Sequence, residues 1–109
     1  MKISNTFLSI LLLTLLSSPS WSTTLRDLVE RDGLYYPKFS DIPFTGEVTG
    51  RLAQGNFNNG KKDGHWVRYH SNGQLQGKGN YNNSEKEGVW VVYYDTGQVR
   101  YKYNYKNGE

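Results

Sequence analysis

The sequence predicts an all-β protein: a single-layer antiparallel meander of tandem hairpins, with a short N-terminal helix following a signal peptide. One pattern is written twice, 24 residues apart, with Gly64, Trp66, Val67, Tyr69, Gly73, Gln74, Leu75, Asn80 and Tyr81 returning as Gly88, Trp90, Val91, Tyr93, Gly97, Gln98, Val99, Asn104 and Tyr105. A unit this short cannot bury its own apolar side chains, so neighbouring copies must stack. Asn72-Gly73 and Thr96-Gly97 lie between runs rich in Trp, Tyr and Val, the sign of tight hairpins. Val99, Tyr101, Tyr103 and Tyr105 alternate with Arg100, Lys102 and Asn104, the two-residue period of a strand with one covered face.

In chain order, residues 1–22 read as a secretory leader: Lys2 precedes the apolar run Phe7 to Leu16, and Ser20 and Ser22 supply small residues at the two positions a signal peptidase reads. The rival, a membrane anchor, needs about 20 apolar residues, more than this run supplies. The protein is therefore expected in the periplasm or the outside medium. With no cysteine there is neither a disulfide framework nor a thiol for a lipid.

Residues 23–32 are expected to form a helical cap, with Thr24 as N-cap, Asp27 in the first turn, and Leu25, Leu28 and Val29 at helical spacing. Gly33 would end it. Residues 33–63 read as a degenerate first copy, lengthened around Pro37 to Pro43, with a bulge or break expected near Gly50 to Gln54. Lys61, Lys62 and Asp63 read as a solvated turn, as do Glu85, Lys86 and Glu87.

The regular copies span 64–87 and 88–109. A two-residue loop at Asn72-Gly73 would pair His70 with Leu75, Arg68 with Gly77, Trp66 with Gly79, and Gly64 with Tyr81. The Trp66 indole would then face a glycine and could lie on bare backbone. The second copy would pair Tyr94 with Val99, Val92 with Tyr101, Trp90 with Tyr103 and Gly88 with Tyr105, giving an apolar, buried face. A three-residue loop would instead exchange the faces for one strand of each pair. Ser84 stands where the earlier turn has Gly60, and a left-handed serine there costs about 1 kcal/mol. The chain stops at Lys106 to Glu109 where a further copy would begin, so either an exposed last strand or a shortened relative of longer arrays is expected.

The runs Gly64-His-Trp-Val-Arg-Tyr-His-Ser-Asn-Gly-Gln-Leu and Gly88-Val-Trp-Val-Val-Tyr-Tyr-Asp-Thr-Gly-Gln-Val resemble MORN repeats, and more closely their bacterial variant. The resemblance implies an elongated sheet of hairpins used for protein contacts, dimerisation and lipid association. Among bacterial relatives it also implies antitoxin or immunity roles.

The formal charge of +3 is too mild for a nucleic-acid partner. No catalytic, metal-binding or cofactor-binding constellation emerges. His65 and His70 are an odd number of positions apart on one strand and so point to opposite faces. The sequence therefore predicts an exported, non-enzymatic protein-binding module, the alternatives being an antitoxin or immunity protein against a cognate toxin and a structural or lipid-associated envelope component. Its candidate contact residues are Tyr69, Lys78, Tyr93, Arg100 and Lys102 on the polar face, where rings interleave with cations. Tyr93 is expected across from Arg100, and Tyr69 across from Gln76. A protein partner is expected, with a homodimer through the Val99 to Tyr105 edge and peripheral membrane contact as further expectations.

Overall fold

The computed structural model describes residues 22–109; the expected leader, but for Ser22, lies outside them. Strands β1 (Leu28–Arg31) and β2 (Leu34–Pro37) form a hairpin. Strands β3 (Gly46–Val48), β4 (Ala53–Asn58), β5 (Lys61–Tyr69), β6 (Leu75–Asn82), β7 (Glu85–Tyr93) and β8 (Val99–Tyr105) form one antiparallel meander in sequence order.

The expected helix over the segment before Gly33 does not form. A single 3-10 turn, Leu25–Asp27, is held by Asp27 Oδ2, which accepts from Thr24 N at 2.8 Å and Thr24 Oγ1 at 3.1 Å. The chain then enters β1. Leu25, Leu28 and Val29 keep helical spacing, but Asp32 and Gly33 have φ of 52° and 83° and make a two-residue turn that pairs Arg31 with Leu34. The hairpin, rather than a helix, covers the N-terminal end of the sheet: Leu28 is buried, and the Tyr35 ring lies 4.9 Å from that of Phe57.

Between the hairpin and β3, Arg31 holds the connection by donating from Nη2 to Ser40 O and pairing with Asp41 Oδ1 at 3.5 Å. The early sheet is irregular, with a break from Thr49 to Leu52 and a register shift at Gly55.

Trp66 pairs with Gly79, Gly64 with Tyr81, Trp90 with Tyr103 and Gly88 with Tyr105, the register expected from two-residue loops. The loops themselves have three residues. His70 N donates to Gln74 O at 2.8 Å, and Gly73 N to His70 O at 2.9 Å; Tyr94, Gln98 and Gly97 repeat the arrangement. Tyr69 therefore pairs with Leu75, and Tyr93 with Val99, in place of His70 and Tyr94. One extra residue, Gln76 or Arg100, is then bulged from each ladder, and the shift cancels. The faces survive because two irregularities of opposite sense add to nothing.

The other turns, at Asn59-Gly60 and Asn83-Ser84, are two-residue loops with both central residues left-handed, Ser84 at φ 69° included. Asp63 is inside β5 rather than in a turn, and Lys62 and Lys86 lie within β5 and β7.

On one face Leu28, Val48, Ala53, Phe57, Trp66 and Trp90 form the core. Rings meet edge-to-face along it: Phe57 to Trp66 at 5.1 Å, Trp66 to Tyr81 at 6.1 Å, Tyr81 to Trp90 at 5.0 Å. The burial expected of the whole face stops short of β8, where Tyr101 and Tyr103 keep 42% and 44% of their surface.

Each indole lies on a glycine, but of the preceding strand rather than of its hairpin partner. Trp66 covers Gly55 and Trp90 covers Gly79, where an added Cβ would come within 2.2 Å of the ring. Trp66 Nε1 donates to Asn56 O at 3.0 Å, and Trp90 Nε1 to Asn80 O at 2.9 Å. Gly64 and Gly88, at φ 80° and 74°, make the irregular stretch that carries the tryptophan back across the neighbouring strand. The contact that joins one copy to the next is therefore an indole, carried by a bulged strand, seated on the glycine opposite the bulge.

Candidate functional site

The aromatic face continues into an open trough of about 520 Å³. Trp66, Tyr81 and Trp90 line it together with Leu25, Ala53 and Val92, and Lys62, Arg68 and Lys86 supply its charge. No carboxylate is among its lining residues. Strand alternation puts Lys62, Trp66 and Arg68 on one face of β5, and Lys86, Trp90 and Val92 on the matching face of β7.

The lysines are held by the repeat itself. Ser84 N donates to Lys62 O at 2.9 Å, and Lys62 N donates to Ser84 Oγ at 3.2 Å; Gly108 N donates to Lys86 O at 3.1 Å. The Lys62 ammonium then sits 5.2 Å from the ring centres of Trp66 and Tyr81 and 5.6 Å from that of Tyr35. Lys86 sits 5.0 Å from Trp90 and 5.3 Å from Tyr105. These are cation–π distances.

Burial pushes the Lys62 pKa below its ordinary value; the charges of Arg68 and Lys86 add to this, and Glu30 opposes it. Burial also raises the Tyr81 hydroxyl, and it raises that of Tyr35 together with Glu30. Among the described residues the one salt bridge is Arg31 to Asp41, so Lys62, Arg68 and Lys86 have no ion-pair partner there. Such a surface favours an anion, whose charge would relieve the repulsion among three neighbouring cations.

The residues expected on the polar face are only partly brought together. Lys78 and Lys102 flank Val91 in register across β6, β7 and β8. Tyr93 pairs with Val99 rather than facing Arg100, because Arg100 is the bulged residue. The Arg100 guanidinium lies instead over Tyr101 at 4.8 Å and Tyr94 at 5.5 Å. Tyr69 faces Leu75, not Gln76, and borders a second hollow of about 910 Å³ with His70, Leu52 and Arg51.

Lys62, Arg68 and Lys86 were not among the residues expected to bind. The recurrence of Lys62 as Lys86, at the spacing of the repeat, is the signal that marks them. His70 Nε2 donates to Tyr93 O at 2.9 Å, and Asn72 Nδ2 to Asp95 O at 2.9 Å, so both serve to join successive hairpin tips. Among the described residues no group of His, Asp and Glu is disposed to hold a metal ion, and no helix is long and apolar enough to cross a membrane.

The fold and the trough define a class: an open antiparallel repeat sheet with an aromatic, cation-lined face. Two segments, residues 62–83 and 86–107, match the MORN repeat variant, and together they make up β5 to β8 almost entirely. No curated protein and no solved structure matches the chain.

Proposed function

We propose that the protein is an exported, non-enzymatic binding module that holds an acidic segment of a partner protein along the trough. The observation that carries this reading is the row Lys62, Arg68 and Lys86, unpaired with carboxylates and set against the rings of Trp66, Tyr81 and Trp90. An acidic side chain laid there gains three charge-assisted partners in surroundings drier than bulk water. An immunity or antitoxin role, which the resemblance to MORN repeats implies, would be one case of such binding, with the toxin as the acidic partner.

Trp66 and Trp90 report on the test directly. Titration with a hepta-glutamate peptide should change tryptophan emission saturably and weaken as salt is raised. Arg68→Glu, at an exposed position, should abolish the change while leaving the fold intact. An unaltered titration in Arg68→Glu would refute the reading.

A further inference from the structure

The two ends of the six-stranded sheet are finished differently. At one end β3 has only three residues, and neighbouring chain is stitched to that end: Thr49 N donates to Thr23 O at 2.9 Å, Phe44 N to Tyr35 O at 2.9 Å, and Tyr35 N to Gly60 O at 2.9 Å. At the other end β8 has seven residues and β7 as its only neighbour among the described strands. Every second residue of β8 therefore directs its N–H and C=O outward, away from the ladder.

Another copy of the repeat does not fit this edge in the way its predecessors fit theirs. The joint between copies needs a glycine under the indole, and the positions Gly55 and Gly79 are followed, one repeat on, by Tyr103. Tyr103 stacks on Tyr101 at 5.5 Å and lies 5.9 Å from Tyr105, so a row of rings covers the place where a following tryptophan would rest.

The charge on β8 also disfavours a second copy. Arg100 and Lys102 lie within the strand and Lys106 just after it, while Val99 to Tyr105 contains no carboxylate. The carboxylates of β7, Glu85 and Glu87, lie beyond the stretch Gly88 to Tyr93 that pairs with β8. Two β8 strands side by side would bring like charges together.

We infer that β8 accepts, as a seventh strand, an extended segment of a partner protein in which apolar and acidic residues alternate. The main chain of that segment takes up the free donors and acceptors of β8. Its apolar side chains lie on Tyr101, Tyr103 and Tyr105, and its carboxylates face Lys102 on the other side of the sheet. The edge of β8 lies outside the trough's lining, although Tyr105 adjoins it through Lys86 at 5.3 Å.

The probe is a capped ten-residue peptide of alternating valine and glutamate, added to the ¹⁵N-labelled protein. The expected result is slowed exchange of the outward amide protons of β8, with the peptide concentration that gives half of this protection raised about tenfold by Lys102→Glu and left unchanged by Arg68→Glu, whatever the peptide does at the trough. The same peptide N-methylated at every second residue, on its hydrogen-bonding edge, should not bind. Equal binding of the methylated peptide, equal loss in Arg68→Glu, or no binding at millimolar peptide would each overturn the inference. So would protection of β8 without peptide in a protein that sediments as a dimer, since a second copy would then occupy the edge. Lys102→Gln, which removes the charge without reversing it, should give an intermediate affinity in a protein with unaltered circular dichroism.

Discussion

Trp90 lies flat against Gly79, the indole so close that a single added methyl group at residue 79 would stand 2.2 Å from ring atom Cδ2. The atoms in the way belong to a fused ring system that is itself fixed by the bond from Nε1 to Asn80 O. Gly79→Ala must therefore lift the indole off the sheet, at a cost of about 2–3 kcal/mol. In a domain this small that lowers the melting temperature by about 10 °C or more. Gly77→Ala is the control, since its added methyl group meets nothing nearer than Val91 O at 3.4 Å. Urea unfolding of the two variants should separate them clearly, and equal stability would mean that the indole does not rest where the structure places it.

Gly64 tests the other half of the same joint. Nothing lies within 4 Å of a Cβ added there, so only its φ of 80° stands against substitution. Gly64→Ala should cost about 1 kcal/mol, and Gly64→Asn less, because asparagine tolerates the left-handed region. Gly64→Val should cost more than either, since a branched side chain is a severe misfit at positive φ. Thermal melts of the three variants check this order, which is the reverse of what β-propensity alone predicts.

Much of this architecture is legible in the sequence, and the illegible parts have physical causes. The pairings Trp66 with Gly79 and Trp90 with Tyr103 follow from alternation and the position of Asn72-Gly73 and Thr96-Gly97. The three-residue loops do not, because the bulges at Gln76 and Arg100 restore the register and erase the trace of the longer loop. The residues from Leu25 to Arg31 fit a helix locally, but only Leu25–Asp27 make a helical turn, and Leu28–Arg31 become a strand through pairing with Leu34 to Pro37. The trough was hidden for a related reason. Lys62 and Lys86 stand beside turn residues and look solvated, and only the stacking of successive copies folds the rings of Trp66, Tyr81 and Trp90 around them.

At Ser84 a strained backbone and a useful side chain oppose each other. Its φ of 69° is unfavourable for serine, while its Oγ accepts the Lys62 N–H at 3.2 Å. Ser84→Gly removes the strain but also the acceptor, whereas Ser84→Ala keeps the strain and loses the acceptor. The expected stability order is Gly, then Ser, then Ala, with glycine above alanine by about 1 kcal/mol. Chemical denaturation checks it, and alanine equal to glycine would show that the turn is too loose to enforce its backbone angle.

Lys62 makes stability depend on pH in a direction opposite to that of the tyrosines it touches. Its pKa is lower in the folded state, chiefly through burial, so the unfolded chain binds more protons as pH rises toward the ordinary lysine value. Stability gains from Lys62 as pH approaches the ordinary lysine value from below. Tyr81 and Tyr35 are raised by burial, so the folded state keeps its protons longer. Their contribution is complete below the ordinary tyrosine value and declines above it. Denaturant midpoints measured across this range should rise and then fall in the wild type, while Lys62→Met should retain only the fall. If Lys62→Met keeps the rise, another group is responsible for it, and the desolvated ammonium at the centre of the trough is not the charge that an acidic partner would relieve.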